Sequence, residues 1–397
     1  MMSRTEKIYG SEPYSPRFTA NVTSVSGDWV SLDRTAFYPG GGGQDPDIGE
    51  LGGLKVVEVR YKGDEISHKV PGNSFKPGQT VSGEVDFPRR LDLMRGHTGE
   101  HLLFSSLNRS VPDLELVKIA ITPTKKSLIV KGKLDLDIIL EAERFVNDVI
   151  AKGVEIKEEI VGRDDPLVNE ARVKLERIQD DKIRLVRIGE FDLAACAGIH
   201  VRNTAEIGML LVEKLTSAKP QGDFEIEFSV GPAAVQRAVH LSVVALQASD
   251  LLGSRPEDAV KALANQMSEL SRAKESLKEY ARSSIEDLLP DPIGNVQLYS
   301  MIVKGLDRRT LSDEATKKVL DGRSICILID EGEKLSIFIA AGKDSGFDAS
   351  VLLKKVLGQI GGKGGGNKTF ATGGTGEPVS GEKVMEIAKN ALNETNV

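Results

Sequence analysis

The chain has 397 residues, more than one hydrophobic core ordinarily organises, since cores stop growing near roughly 250–300 residues. Its 40% hydrophobic and 28% charged residues are the composition of a globular protein, and 5% aromatic residues argue against a base-stacking RNA surface. A net charge of −7 means that any nucleic-acid contact must come from local basic patches.

No apolar run reaches the roughly 20 residues of a membrane span, and the first ten residues lack the apolar core of a signal peptide, so a cytoplasmic protein that does not engage membranes is expected. Cys196 and Cys326 lie far apart, and a structural disulfide is not expected. Cys326, inside the apolar run Ser324 to Ile329, reads as a buried small hydrophobe.

In chain order, the first 90 residues are short β-prone runs: Phe18–Val25, Trp29–Leu32, Leu54–Tyr61, Glu65–Val70 and Thr80–Phe87. Their even spacing between turn signals suggests a small barrel. From Arg90 the pattern becomes a helix with one apolar side, carrying Leu91, Met94, His101 and Leu102. Strands at Val117–Thr122 and Ser127–Lys131, a helix at Leu136–Lys152, strands at Glu155–Val161, Lys182–Ile188 and Phe224–Val230, and a helix at Pro232–Leu252 make an α+β region. A long helix is expected over Pro256–Leu288, with Val260, Leu263, Met267, Leu270, Lys274, Leu277, Ala281 and Ser284 on its seam, ended by Pro290 and Pro292. The remainder alternates strands (Val296–Val303, Ser324–Asp330, Leu335–Ala340) with helices (Ser312–Leu320, Ser350–Leu357, Glu382–Leu392), the pattern of a separate α/β module. It contains the glycine-rich stretch Gly361 to Thr369.

Four of the chain's seven His and Cys residues fall in two short motifs, His97-Thr-Gly-Glu-His101 and Cys196-Ala-Gly-Ile-His200. Residues four apart on a helix share a face, so His97 and His101 can aim at one point. Three nitrogens and a sulfur suit tetrahedral Zn²⁺, whereas Mg²⁺ or Ca²⁺ would take oxygens. A closed four-ligand site is structural, so catalysis requires one ligand to be loose or replaced by water. The first motif also fits H-x-x-E-H, in which Glu100 would be the base of a zinc peptidase and Glu170 or Glu176 a further ligand. That reading leaves the second motif unexplained.

Upstream lies a glycine loop, Phe37-Tyr-Pro-Gly-Gly-Gly-Gly-Gln44, whose backbone can come close to a ligand at Gly40, Gly41, Gly42 and Gly43. With this loop, H-x-x-x-H and C-x-G-x-H-V-x-x-T-x-E-I-G (Cys196 to Gly208) in this order, and Phe224 to Phe228 beyond, the chain resembles the alanyl-tRNA editing family. That family comprises the free-standing AlaX proteins and the editing part of alanyl-tRNA synthetase, and the long AlaX form matches best. The C-terminal part resembles the glycine-rich C-Ala domain.

The resemblance implies an α+β multidomain architecture: a β-barrel domain with the glycine-rich loop (1–89), a zinc-binding editing domain (90–252), a helical arm (253–289) and a C-terminal C-Ala-like α/β domain (290–397). It implies a Zn²⁺-dependent deacylase acting in trans on alanine tRNA mischarged with serine or glycine, without aminoacylation activity, because the barrel begins near residue 15. Thr35 and Gln44 are the implied readers of the serine hydroxyl, and Glu100 is a candidate proton acceptor. Lys363 and Lys368, with Lys354 and Lys355, are candidates for tRNA contact, and the helical arm and C-terminal domain for homodimer formation. ATP binding follows from the family alone: Gly366-Asn-Lys-Thr369 is not a P-loop, because Asn367 separates Gly from Lys. Ile199 stands where the family usually has Thr, a change beside two ligands. A non-catalytic tRNA-binding protein with structural zinc is the third reading.

Overall fold

The computed structural model describes residues 4–394 apart from 176, 177, 179, 219–221 and 333. The chain divides into two compact units between Ala245 and Leu246.

The first unit opens with a seven-stranded antiparallel sheet. Its spatial order is Leu54–Val56, Gly49–Leu51, Thr80–Val85, Arg17–Ser26, Trp29–Leu32, Glu65–Lys69 and Glu58–Lys62. The two outermost strands are consecutive in sequence and separated only by Val57, so the sheet must curl until its ends meet, which makes it barrel-like and nearly closed. The single strand expected over Leu54–Tyr61 is therefore two, because the chain turns at Val57 from one end of the sheet to the other.

The helix expected from Arg90 runs from Phe87 to Ser110, and the Asp86 side chain caps it by accepting from the Arg89 N–H at 3.1 Å. It is not amphipathic. Every residue from Gly96 to Phe104 is buried, because elements pack on all its sides. A Cβ on Gly99 would meet Leu210 and Val230 at 3.1 and 3.2 Å.

A four-stranded antiparallel sheet lies against it in the order Glu115–Ile121, Lys126–Lys131, Asp223–Val230, Leu210–Ala218. The helix Leu136–Lys152 has the expected bounds, with Asp135 as N-cap and Gly153 left-handed at φ 67° as C-cap. A three-stranded sheet, Ile156–Gly162, Lys182–Ile188 and Asp192–Ala195, completes the unit's sheets. The nearly closed sheet, the long helix and the four-stranded sheet share one hydrophobic core.

The helix Gly231–Leu252 runs across the division, and the helix Ala259–Glu286 follows. Val260, Leu263, Met267, Leu270 and Leu277 of the expected seam are exposed, whereas Ala281 and Ile285 are buried. Beyond it lies a six-stranded sheet in the order Asp291–Ile293, Val296–Val303, Ser324–Glu331, Leu335–Ala341, Phe370–Thr375, Lys363–Gly366. Only the pair Val296–Val303 and Ser324–Glu331 is parallel. Pro292 sits in the first, edge strand, where a missing donor is tolerated. Helices Arg308–Lys318, Ala349–Ile360 and Gly381–Asn393 accompany the sheet. The glycine-rich stretch forms the hairpin Lys363–Gly366 and Phe370–Thr375. A Cβ on Gly364 would lie 2.5 Å from the Gly373 backbone, which accounts for glycine in that tight pair.

Among the described residues no helix is long and apolar enough to cross a membrane.

Candidate metal centre

His97 and His101 lie one turn apart in the wholly buried stretch of the long helix. Cys196 and His200 come from the loop after the strand Asp192–Ala195. The four donor atoms lie within 4.8 Å of one another, with Cys196 Sγ 3.4 Å from His97 Nε2 and 3.3 Å from His200 Nε2. A tetrahedron with arms of about 2.0–2.3 Å has edges of roughly 3.4–3.6 Å, so the two sulfur–nitrogen spacings match one, and the four donors together lie close enough to hold a metal ion.

The outward nitrogens carry the more telling detail. His97 Nδ1–H donates to Gln44 Oε1 at 2.7 Å, and the Ile199 N–H donates to the same oxygen at 3.3 Å, which fixes the amide orientation. His101 Nδ1–H donates to Asp192 Oδ2 at 2.7 Å. The Thr98 hydroxyl donates to the Met94 carbonyl at 2.9 Å, so its oxygen accepts from His200 Nδ1–H at 3.2 Å. Each imidazole thus has its Nδ1 proton committed and its Nε2 facing Cys196. Acceptors placed this way fix the tautomer that ligates a metal.

Burial by itself would raise the Cys196 thiol, but His97, His200 and the hydrogen bonds from His101 and His200 outweigh it and hold it well below its ordinary value. A thiolate is the form that binds metal. Burial would lower His101, but the hydrogen bonds with Asp192 and Cys196 push it up to about 10, whereas burial takes His200 down to about 3. Arg172 pairs with Asp192 at 3.3 Å and lies over the Phe104 ring at 4.8 Å.

The loop is clamped by Arg184, whose Nη1 donates to the Cys196 and Gly198 carbonyls, each at 2.7 Å. A Cβ on residue 198 would stand 2.1 Å from His97 Cε1, so the imidazole itself requires glycine there. Ile199 is 2% exposed and belongs to the hydrophobic core; it serves the centre through its backbone N–H.

A cavity of about 1040 Å³ opens on the cluster and is lined by His97, His101 and Cys196 together with Gly42 and Gly43. Of the four donors, only Cys196 is not fully buried. Gly40 to Gly43 all take positive φ, 82°, 140°, 58° and 86°, and a Cβ on Gly43 would meet the Ile119 carbonyl oxygen at 2.7 Å. The loop therefore needs glycine both for its turn and for its approach to the strand beside it.

The other expected site residues are dispersed. Thr35 is fully buried in the short strand Arg34–Thr35, which pairs with Glu6–Lys7, where it accepts from the Phe37 N–H at 3.1 Å and donates to His68 Nε2 at 2.8 Å. Gln44 is 3% exposed and holds His97, while its Nε2 has no partner among the described residues. Glu100 is fully buried with neither oxygen partnered among the described residues, burial raises its carboxyl, and the lining of the cavity does not include it. A peptidase base has to face the water it activates. Glu170 lines the cavity, and Glu176 lies outside the described residues. Lys363 and Lys368 are exposed at the hairpin of the second unit. Asp192 and Thr98 carry no sequence signal, since each meets its histidine at a sequence separation of 91 or 102.

Residues 183–231 match the family model described as the threonyl and alanyl tRNA synthetase second additional domain. Residues 5–89 match the model of class II (A) tRNA synthetases. The alanine–tRNA ligase of Pyrobaculum calidifontis is 31% identical across 98% of this chain and 44% of its own length. Those of Methanococcus vannielii and Thermococcus kodakarensis are 28% and 29% identical, again over 98% of this chain and 44% of theirs. The chain spans less than half the length of these relatives. The crystal structure of the C-Ala domain from Aquifex aeolicus alanyl-tRNA synthetase aligns with 27% of this chain and 99% of its own, at 18% identity and a TM-score of 0.25. Over nearly its whole length the chain is similar to part of alanine–tRNA ligases, in keeping with the resemblance read from its motifs.

Proposed function

We propose that the chain hydrolyses the ester linking a wrongly attached amino acid, serine or glycine, to alanine tRNA, with Zn²⁺ at its metal centre. One observation carries the reading: three imidazoles, each locked in its ligating tautomer by Gln44, Asp192 or Thr98, converge with a thiolate at a cavity large enough for an aminoacylated nucleoside. Its likeness to alanine–tRNA ligases over 98% of this chain supports alanine tRNA as the carrier of the ester.

His97, His101 and His200 through Nε2, and Cys196 through Sγ, would hold the ion. Zinc supplies Lewis acidity and makes water a competent nucleophile near neutral pH. Asp192, itself held by Arg172, keeps His101 in position. Cys196, the one of the four donors that is not fully buried, would be the ligand that gives way to water, as catalysis at a four-ligand site requires. Gly42 and Gly43 allow the backbone to approach the ester. The Gln44 amide N–H groups are without a partner among the described residues and would donate to a serine hydroxyl that reached past Gly43, since Gln44 itself does not line the cavity. A site that hydrogen-bonds such a hydroxyl rejects the analogue without it by roughly 10⁴–10⁵, which is the discrimination against alanine that the reaction demands. Thr35 is less suited, because its own hydrogen is given to His68.

Serine release from seryl-tRNA(Ala) is the test. Wild type is expected to turn over, Cys196→Ala and His101→Ala to lose at least a hundredfold, and Glu100→Gln to retain activity. Peptide cleavage that disappears in Glu100→Gln would instead establish the peptidase, and tRNA binding without turnover would leave a structural metal.

A further inference from the structure

The strand Asp192–Ala195 ends immediately before Cys196, and there one residue takes over from the ladder. The Cys196 N–H donates to the backbone carbonyl of Arg184, on the neighbouring strand, at 3.1 Å. The Arg184 guanidinium then bridges the turn, its Nη1 donating to the carbonyls on either side of Ala197, those of Cys196 and Gly198. Inside the turn the Gly198 N–H donates to Cys196 Sγ at 3.4 Å, and the Ile199 N–H is held by Gln44. The backbone from Cys196 to Ile199 cannot swing without breaking a bond to Arg184. That backbone carries the thiolate and, one residue further on, His200.

The other edge of the same guanidinium is occupied as well. Arg184 Nε and Nη2 meet the two carboxylate oxygens of Glu158 at 3.0 and 2.5 Å. The pair runs diagonally across the strands Ile156–Gly162 and Lys182–Ile188, since the residue directly opposite Arg184 is Ile160. A bidentate carboxylate fixes the plane of a guanidinium, and that plane decides where the remaining N–H groups point. A lysine at this position would supply the charge without the fork. Arg187 and Glu159 form the corresponding diagonal pair, at 3.6 Å, on the opposite face of the same two strands.

We propose that Arg184, oriented by Glu158, is the positioning residue of the metal centre: from outside the ring of donors it fixes the place of Cys196 Sγ among the three imidazoles. The inference rests on the reading of the four donors as a metal site. Arg184 does not line the cavity and acts only through the loop. Partners that hold a ligand in place without touching the ion typically contribute about 10–100-fold to metal affinity. With the loop held at both carbonyls, Cys196 gives way to water by turning about its own side chain and returns to the same place, so the ion is kept through the exchange.

Titration of the full chain with Co²⁺ tests this without any substrate, because a cobalt–thiolate bond gives a near-ultraviolet charge-transfer band while the visible bands report the number of ligands. Wild type should show both. Arg184→Gln should bind Co²⁺ and Zn²⁺ about 10–100-fold more weakly in competition with a chromophoric chelator. It should also lose charge-transfer intensity relative to the visible bands, whereas a general loss of folded protein would lower the two together. Glu158→Gln, which leaves Arg184 in place, should weaken binding in the same direction by about threefold, as a partly exposed pair would. Arg184→Lys should recover part of the affinity but not the band ratio. Arg187→Gln, with circular dichroism to confirm its fold, should match wild type in both. Arg184→Gln with wild-type affinity and band ratio, or an equal loss in Arg187→Gln, would overturn the role of Arg184 and leave the metal centre standing. Wild type without a cobalt–thiolate band would overturn the metal centre and the role of Arg184 with it.

Discussion

The Thr35 hydroxyl and His68 form a buried polar chain whose direction can be worked out atom by atom. His68 Nδ1–H donates to the Val30 carbonyl at 3.1 Å, so Nε2 is the acceptor and Thr35 the donor. The ring is therefore neutral, and burial lowers its pKa from 6.5 to about 4. The unfolded chain binds a proton at this histidine over a range where the folded chain does not, so stability is full above pH 6.5 and falls as the pH drops toward 4. The lost contribution is roughly 3 kcal/mol. Denaturant unfolding at pH 7 and at pH 4 should show this component in wild type and not in His68→Gln. Identical pH dependence in the two proteins would mean that the ring is charged or exposed. At the same scale, the four donors were legible from sequence because His and Cys are scarce and spaced by four, a spacing with direct geometric meaning on a helix. Asp192 and Thr98 were not, since an aspartate on a strand and a threonine inside a helix look like any others until the fold brings them to His101 and His200.

Between elements, the long helix and the glycine loop are held together by Arg90. Its side chain is fully buried; it pairs with Asp47 and donates to the carbonyls of Ala36 and Pro13, spanning both ends of the loop. Asp47 also accepts from the Tyr38 N–H at 2.7 Å. Removing one partner of a buried pair costs about 3–5 kcal/mol, because the other charge is stranded. Arg90→Ala should lower the melting temperature of the first unit by roughly 10 °C, as read by calorimetry; a shift below 2 °C would show that the pair contributes little. Element periodicity was readable for the helix Leu136–Lys152, which has one buried face and clear caps. It misled for the long helix, where Gly96, Thr98 and Gly99 are buried but not apolar. It failed for the strand Leu210–Ala218, because the register shift between Val212 and Lys214 breaks the alternation. The hairpin at Lys363–Gly366 was invisible for a simpler reason: glycines carry no face.

At the scale of the whole molecule, a curled sheet brings the glycine loop, a buried helix brings two histidines, and a clamped loop brings the cysteine and third histidine to one cavity within the first unit. Order of motifs along the chain was enough to read the family, while the cavity was not legible at all, since its walls come from the stretches 42–43, 114–119 and 170–174 that share no pattern. We propose this assembly as a metal-dependent deacylase. Its most direct test is release of labelled serine from alanine tRNA by the full chain as isolated, after chelation, and after return of Zn²⁺. Release that stops on chelation and resumes with Zn²⁺ is the expected result; release indifferent to chelation, or no release from the zinc-loaded chain, would contradict it.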